Sequence, residues 1–284
     1  MTTLPRARAR AATLVVVGPP DRLVEAADAL RDADQAGSYR CVLMSTEPGT
    51  VTAVDGSDDL VAVDSIRPEY LNNAIAALRL SSLPTVIWWR GGPPDRLDDV
   101  APLADRVVLD APDAGPLWRR ATTLFARTAM TDVRWARLTR WRAAMAHLFD
   151  LPQVRDAVAR FTRLTVAGRD EAQCALFGGW LRSSLGGTHQ FEASLVGGQA
   201  PLERVTLEGP DSAVHLSLLS SGACIGAEVR VEGRTVASRV VAAGDQRLAA
   251  LLSEELRIRS RDLAVERALS AVQGAGLPVS VGGL

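Results

Sequence analysis

One stretch constrains this chain more than any other: residues 82–111, SLPTVIWWRGGPPDRLDDVAPLADRVVLDA. It opens with an apolar strand, Pro84 to Trp89, and breaks at Arg90-Gly91-Gly92-Pro93-Pro94. It resumes as a short acidic helix, Asp95 to Leu103, and closes with a second apolar strand, Arg106 to Asp110. A strand, loop, helix and strand in that order form the building block of a parallel sheet. Trp88 and Trp89 are adjacent, so on a strand they point to opposite faces. Both can be buried only where both faces of the sheet are covered, as in α/β proteins.

The chain before this stretch repeats the theme. Thr13 to Val17 is a continuous β-branched run that ends at Gly18-Pro19-Pro20, so it reads as a first strand and not as a secretory leader. Asp21 to Asp34 carries Leu23, Ala26, Ala27 and Leu30 at helical spacing. Arg40 to Ser45 and Leu60 to Asp64 are further strands, with a turn-rich segment between them that suits a hairpin at Asp55-Gly56. A helix opens at Arg67-Pro68-Glu69, and another starts at Gly115-Pro116. Five short strands alternating with helices predict a Rossmann-like, open, mostly parallel α/β sheet over residues 1–130.

The character changes near Thr131. Thr131 or Asp132 is placed to cap a long helix, Val133 to Phe149, with Trp135, Leu138, Trp141, Met145, Leu148 and Phe149 on one arc. Arg142 falls inside that arc, so it needs a partner or must snorkel. Pro152 starts a short helix, Leu164 to Val166 reads as a strand, and a helix from Asp170 to Leu185 stops at Gly186-Gly187. From Phe191 the period becomes two. Phe191–Val196, Arg204–Leu207, Ala213–Leu219, Ile225–Val231 and Thr235–Val241 predict five antiparallel strands. A helix from Asp245 to Gln273, interrupted near Arg259 to Arg261, completes an antiparallel-sheet-and-helix α+β domain over residues 131–284, followed by a frayed tail.

Composition narrows the chemistry. The net charge is −1, which offers nothing to nucleic acid or to an anionic membrane. No stretch approaches the roughly 20 apolar residues of a membrane span. All 32 basic residues are arginine, which removes lysine Schiff bases and the P-loop lysine. Three distant cysteines, Cys41, Cys174 and Cys224, suit a reducing, cytoplasmic setting and read as small buried hydrophobes. Phosphate cradles need backbone N–H groups at a helix start. The openings at Gly18-Pro19-Pro20-Asp21, Arg67-Pro68-Glu69 and Gly92-Pro93-Pro94-Asp95 carry prolines, which lack the donor, and acids, which repel anions. No cofactor is therefore expected. His147, His189 and His215 are isolated, and there is no Gly-x-Ser-x-Gly elbow. Asp110 ends a strand where α/β sheets place ligands, yet a structural role explains it as well. Six tryptophans and neighbouring arginines remain unassigned. Trp88, Trp89, Arg90, Trp135, Trp141 and Arg142 are of the types that anchor protein interfaces. At least one exposed aromatic-arginine patch is expected among them.

Four segments resemble the OpcA family, the glucose-6-phosphate dehydrogenase assembly proteins. They are Leu83 to Pro94 (LPTVIWWRGGPP), Leu103 to Asp110 (LADRVVLD), Asp132 to Arg142 (DVRWARLTRWR) and Leu176 to Leu181 (LFGGWL). The third departs from the family's Asp-Leu-Asn-Trp at Val133-Arg134, and the three cysteines match none of those linked to redox control in photosynthetic members. The resemblance implies a non-enzymatic protein that binds glucose-6-phosphate dehydrogenase, favours its active oligomer and supports the oxidative pentose phosphate pathway. The alternative that the residues leave open is an enzyme binding a sugar phosphate or nucleotide at the carboxyl edge of the first sheet, between Arg90 and Asp110.

Overall fold

The computed structural model describes residues 10–33, 38–49, 60–186, 192–258 and 260–275. The hairpin expected at Asp55-Gly56, the stop at Gly187, His189, the strand start at Phe191, Arg259 and the tail from residue 276 lie outside them. The chain divides into two compact units, one of residues 1–133 with 247–262, the other of residues 134–246 with 263–284.

The first unit is built on strands β1 (Ala12–Val17), β2 (Tyr39–Met44), β3 (Leu60–Val63), β4 (Thr85–Trp89), β5 (Arg106–Leu109) and β6 (Ala129–Asp132). All pair in parallel, in the order β3-β2-β1-β4-β5-β6. This is the Rossmann strand order, whose connections reverse direction between β1 and β4. Helices α1 (Pro20–Asp32), α2 (Leu71–Leu78), α3 (Leu97–Val100, between two 3₁₀ turns) and α4 (Ala114–Leu124) link the strands. The sequence predicts five of these strands. The sixth is Ala129–Asp132, where the sequence predicts only that Thr131 or Asp132 caps a helix. Its pairing with β5 makes it a strand, and only Met130 is strongly apolar, so no local pattern announces it.

Trp88 and Trp89 are both fully buried, as adjacent residues on a doubly covered strand must be. Burying them contributes roughly 4–6 kcal/mol of transfer free energy each. Trp88 packs in one core with Leu14, Val16 and Leu43 of the sheet and with Leu23, Ala26 and Leu30 of α1.

The second unit contains α5 (Val133–Arg137, whose first residue ends the first unit), α6 (Thr139–Phe149), α7 (Pro152–Ala157), β7 (Arg163–Ala167), α8 (Glu171–Ser184) and strands β8 (Glu192–Val196), β9 (Arg204–Glu208), β10 (Ser212–Leu218), β11 (Cys224–Val231) and β12 (Arg234–Ala242). The long helix expected from Val133 to Phe149 is divided at Leu138, yet most of the expected arc holds: Trp135, Leu138, Trp141, Met145 and Leu148 are buried, and Phe149 is half-buried.

Its sheet runs β12-β11-β10-β9-β7-β8. The expected antiparallel meander is correct for β9 to β12. β8 departs from it, because α8 carries the chain over the sheet and returns β8 parallel to β7.

Two helices close the described chain, α9 (Leu248–Arg257) and α10 (Leu263–Ala275). The interruption expected between them is present. α9 belongs to the first unit, where Leu252 and Leu256 join the core around α1. The Tyr39 hydroxyl donates to the Leu256 carbonyl at 3.1 Å. Arg106 Nη2 donates to buried Glu255 at 2.6 Å, and Arg106 Nη1 donates to the Ser260 carbonyl at 3.2 Å. Among the described residues no helix is long and apolar enough to cross a membrane.

Candidate functional site

In a sheet of this order, ligands bind outside the carboxyl ends of β1 and β4. Here that edge is occupied by Arg90. Its backbone N–H donates to the Val17 carbonyl at 2.7 Å, which ties the two loops together. Gly18 is required by this closeness, since a Cβ there would meet the Arg90 carbonyl oxygen at 2.9 Å. The Arg90 side chain is 4 % exposed, with Nη2 3.0 Å from Glu25 and Nε 3.0 Å from Asp110. Its guanidinium lies 4.6 Å from the centre of the Trp88 ring. Arg22 adds a hydrogen bond to the Asp110 carbonyl at 3.0 Å. Burial lowers the Arg90 pKa below the usual guanidinium value, while Asp110 and Glu25 hold it up.

Two arginines and two carboxylates leave this cluster with no net charge. A pyrophosphate entering it would have to displace Glu25 and Asp110 from Arg90, with no surplus cation to receive it. The structure thus brings Arg90 and Asp110 together as an ion pair.

Trp135, Trp141 and Arg142 form a second cluster, within the second unit. The Arg142 guanidinium stacks 3.5 Å from the Trp135 ring centre, and it donates to the Trp135 carbonyl at 3.4 Å and to Thr139 Oγ1 at 3.3 Å. Arg134, where the sequence departs from the family pattern, reaches both carboxylate oxygens of Asp170 at 3.2 Å. Asp170 in turn caps α8 by accepting from the Gln173 N–H at 3.0 Å.

Among these six residues the expected aromatic-arginine surface is therefore not formed, and Trp180, the further aromatic of the expectation, is half-buried. Trp88 and Trp89 are 0 % exposed, Arg90 3 %, Trp135 2 % and Trp141 4 %, with Arg142 half-buried. Carboxylates draw Arg90 inward, the Trp135 ring draws Arg142 inward, and layers on both faces of the parallel sheet cover Trp88 and Trp89.

Sequence reasoning missed a groove of about 760 Å³ in the second unit, lined by Arg163, Glu208, Asp211, His215, Arg230 and Glu232 among others. His215, read as isolated, sits 3.4 Å from Thr206. The strict alternation of Arg204-x-Thr206-x-Glu208 along β9 was the available signal, since period two puts these three on one face. The groove's charges already answer one another, with Arg163 3.7 Å from Glu208 and Arg230 2.7 Å from Glu228. Thr235 and Arg230 hold the Glu228 carboxyl below the usual range. Among the described residues no group of three or more His, Cys, Asp or Glu could hold a metal.

A parallel sheet with a self-closed switch point, joined in sequence to an open-faced mixed sheet, defines a two-unit α/β protein of the Rossmann-like class. A family model described as the C-terminal domain of a glucose-6-phosphate dehydrogenase subunit matches residues 128–269, half of the chain. The chain belongs to this family, the OpcA family. A protein of Nostoc punctiforme provisionally named OxPP cycle protein OpcA is 29 % identical over 127 residues, covering 41 % of this chain and 27 % of that protein. A Synechocystis protein of the same name is 28 % identical over 127 residues, covering 41 % and 26 %. The matched stretch thus spans about a quarter of these relatives' length. Among solved structures, an aldose-aldose oxidoreductase from Caulobacter crescentus overlays with a TM-score of 0.48 at 12 % identity, covering 93 % of this chain and 96 % of that one. A UDP-N-acetylglucosamine 3-dehydrogenase from Acidithiobacillus ferrooxidans overlays at 0.45 and 11 %, covering 95 % and 98 %. Likenesses this loose carry no chemistry to the present chain.

Proposed function

We propose that this chain is a non-catalytic assembly factor and allosteric activator of glucose-6-phosphate dehydrogenase, acting in the cytoplasm to support the oxidative pentose phosphate pathway. The observation that carries this reading is family membership over residues 128–269. The charge-balanced cluster at the sheet's carboxyl edge supports it, because the usual ligand position is filled by the chain's own Arg90. The mechanism is linkage. A protein that binds the active oligomer more tightly than the inactive form shifts the equilibrium by its differential affinity, so tenfold tighter binding shifts it by about 1.4 kcal/mol.

On this reading the buried Trp88, Trp89, Arg90, Trp135 and Trp141 have an indirect part, shaping the units that meet the partner. The test mixes the purified chain with the dehydrogenase at micromolar concentration. Activity is assayed, and molar mass is followed by light scattering after size exclusion. A heavier species with raised activity is the expected result, and no change in either quantity defeats the proposal.

The strand order β3-β2-β1-β4-β5-β6 favours one other reading, a sugar-phosphate or nucleotide enzyme at the same edge. A thermal-shift series with NADP and sugar phosphates separates the two, since a ligand bound only by the native state raises its melting temperature. The assembly reading expects no shift.

A further inference from the structure

The first unit borrows α9 from the far end of the chain. The unit is made of residues 1–133 and 247–262, and α9 lies in the second of these segments. At both ends of that segment the chain runs directly into residues of the second unit. None of the six strands of the first sheet lies in it, so lifting α9 away breaks no strand pairing. A helix of 10 residues does not hold its own hydrogen bonds in water. α9 is therefore helical only while it is attached.

Three contacts attach it. Leu252 and Leu256 are buried in one core with Leu23, Ala26 and Leu30 of α1. From β2, the Tyr39 hydroxyl donates to the Leu256 carbonyl at 3.1 Å, and Cys41 joins the same core. From β5, Arg106 donates to Glu255 Oε2 at 2.6 Å and to the Ser260 carbonyl at 3.2 Å.

The third contact is the one that a proton can change. Glu255 is 1 % exposed. Arg106 serves its Oε2, but its Oε1 meets no donor among the described residues. A buried anion left half-solvated in this way is costly. Two further carboxylates bear on it. One is Asp132 of β6, which accepts from the Trp118 indole at 2.8 Å, and the other is Glu254 of α9 itself. A proton on Glu255 removes that repulsion and leaves the contact with Arg106 in place. Once α9 is detached, Glu255 returns to water and ionises as an ordinary carboxylate.

We infer that α9 is a proton-controlled latch, which opens by itself while the first sheet stays folded and which loss of the Glu255 proton loosens. The attached form keeps the proton up to about 7, and the detached form releases it near 4.5. Attachment is therefore strongest below about 4.5 and weakens as pH rises through 7. Near neutrality, small changes of pH then set how often the core side of α9 is uncovered.

The test needs only this chain, so its failure and that of the dehydrogenase reading are separate results. Amide hydrogen exchange of the full chain measures opening segment by segment. It is read by mass spectrometry of peptic peptides and corrected for the pH dependence of exchange in unstructured peptides. Peptides of α9 should be less protected than those of β1 and β4 at every pH. Between pH 5.5 and 7.5 the protection of α9 should fall roughly twentyfold. In Glu255→Gln, α9 should be equally protected at both pH values. Tyr39→Phe, which removes one attachment and no charge, should lower the protection of α9 at both pH values and keep the fall. Circular dichroism confirms that each variant is folded. Protection of α9 equal to that of β1 and β4 would mean that the helix opens only with the whole unit, and it overturns the inference. So does protection that stays level from pH 5.5 to 7.5, or a fall that persists in Glu255→Gln or vanishes in Tyr39→Phe.

Discussion

The two sheets of this molecule use their residues in opposite ways. The first is all parallel, doubly covered and closed on itself, and its most interactive side chains are spent internally. The second keeps one face open and populates it with Thr, Ser, Gly and a few paired charges. Trp and Arg mark interfaces only when their surroundings leave them outside. Here Trp88 and Trp89 hold the core of one sheet, and the exposed sheet face is the blander one. Rossmann strand order alone therefore identifies neither a ligand site nor a docking site. Coverage of each face and charge balance at each edge decide between them.

The largest contrast is in stability. Trp88→Ala should cost about 3–5 kcal/mol, as for other large aromatic deletions in closed cores. Val240→Ala, on the open face, should change the dilute chain's stability by less than about 0.5 kcal/mol. Urea unfolding of both variants checks this. Similar losses would mean that the open face is packed, and the contrast between the sheets would fall.

Next is the pH dependence of the first unit. Burial on the inner side of α9 pushes the Glu255 carboxyl up to about 7, despite Arg106, with Glu254 and Asp132 adding to the rise. The folded state then holds a proton that the unfolded chain releases near pH 4.5. This contribution to stability is complete below about 4.5 and is lost as pH rises through 7, a change of up to roughly 3 kcal/mol. Glu255→Gln should flatten that slope. A variant whose stability falls between pH 4.5 and 7 as steeply as the parent's would assign the slope to another group.

A smaller effect belongs to the contact between α8 and α10. A Cβ at Gly179 would stand 2.6 Å from the Ala268 carbonyl oxygen and 2.6 Å from a Val272 methyl. Gly179→Ala gains about 1 kcal/mol in helix propensity and loses about 1–3 kcal/mol to overpacking. A modest net loss in melting temperature is expected. A gain would show that the helices part easily and that the Gly-Gly-Trp segment has another purpose.

These contrasts also explain what was legible in the sequence. β1 and β5 are visible because buried parallel strands read as apolar, β-branched runs, Thr13 to Val17 and Val107 to Leu109. β6 is invisible because its strand character comes from pairing with β5, not from Ala-Met-Thr-Asp itself. Alternation in β8 announces a strand but not its partner, so its parallel pairing with β7 could not be foreseen. Arg90 ends a strand and enters a loop, which locally reads as exposed. Its fate depends on Glu25, 65 residues earlier, and Asp110, and no local pattern links the three. The open face is legible in plain period two, as the strict alternation from Glu228 to Glu232 predicts a strand with one wet face.

The smallest effect sharpens the comparison without altering stability. Cys41 and Cys174 are buried, and burial, reinforced by Asp170 and Glu171, pushes the Cys174 thiol up to about 12. Cys174 therefore presents no thiolate at neutral pH. Cys224 is half-exposed, opposite Ala242 and two residues from Gly226 on the open face. A maleimide should therefore label Cys224 first, with Cys41 and Cys174 reacting only on unfolding, as read by mass spectrometry of digests.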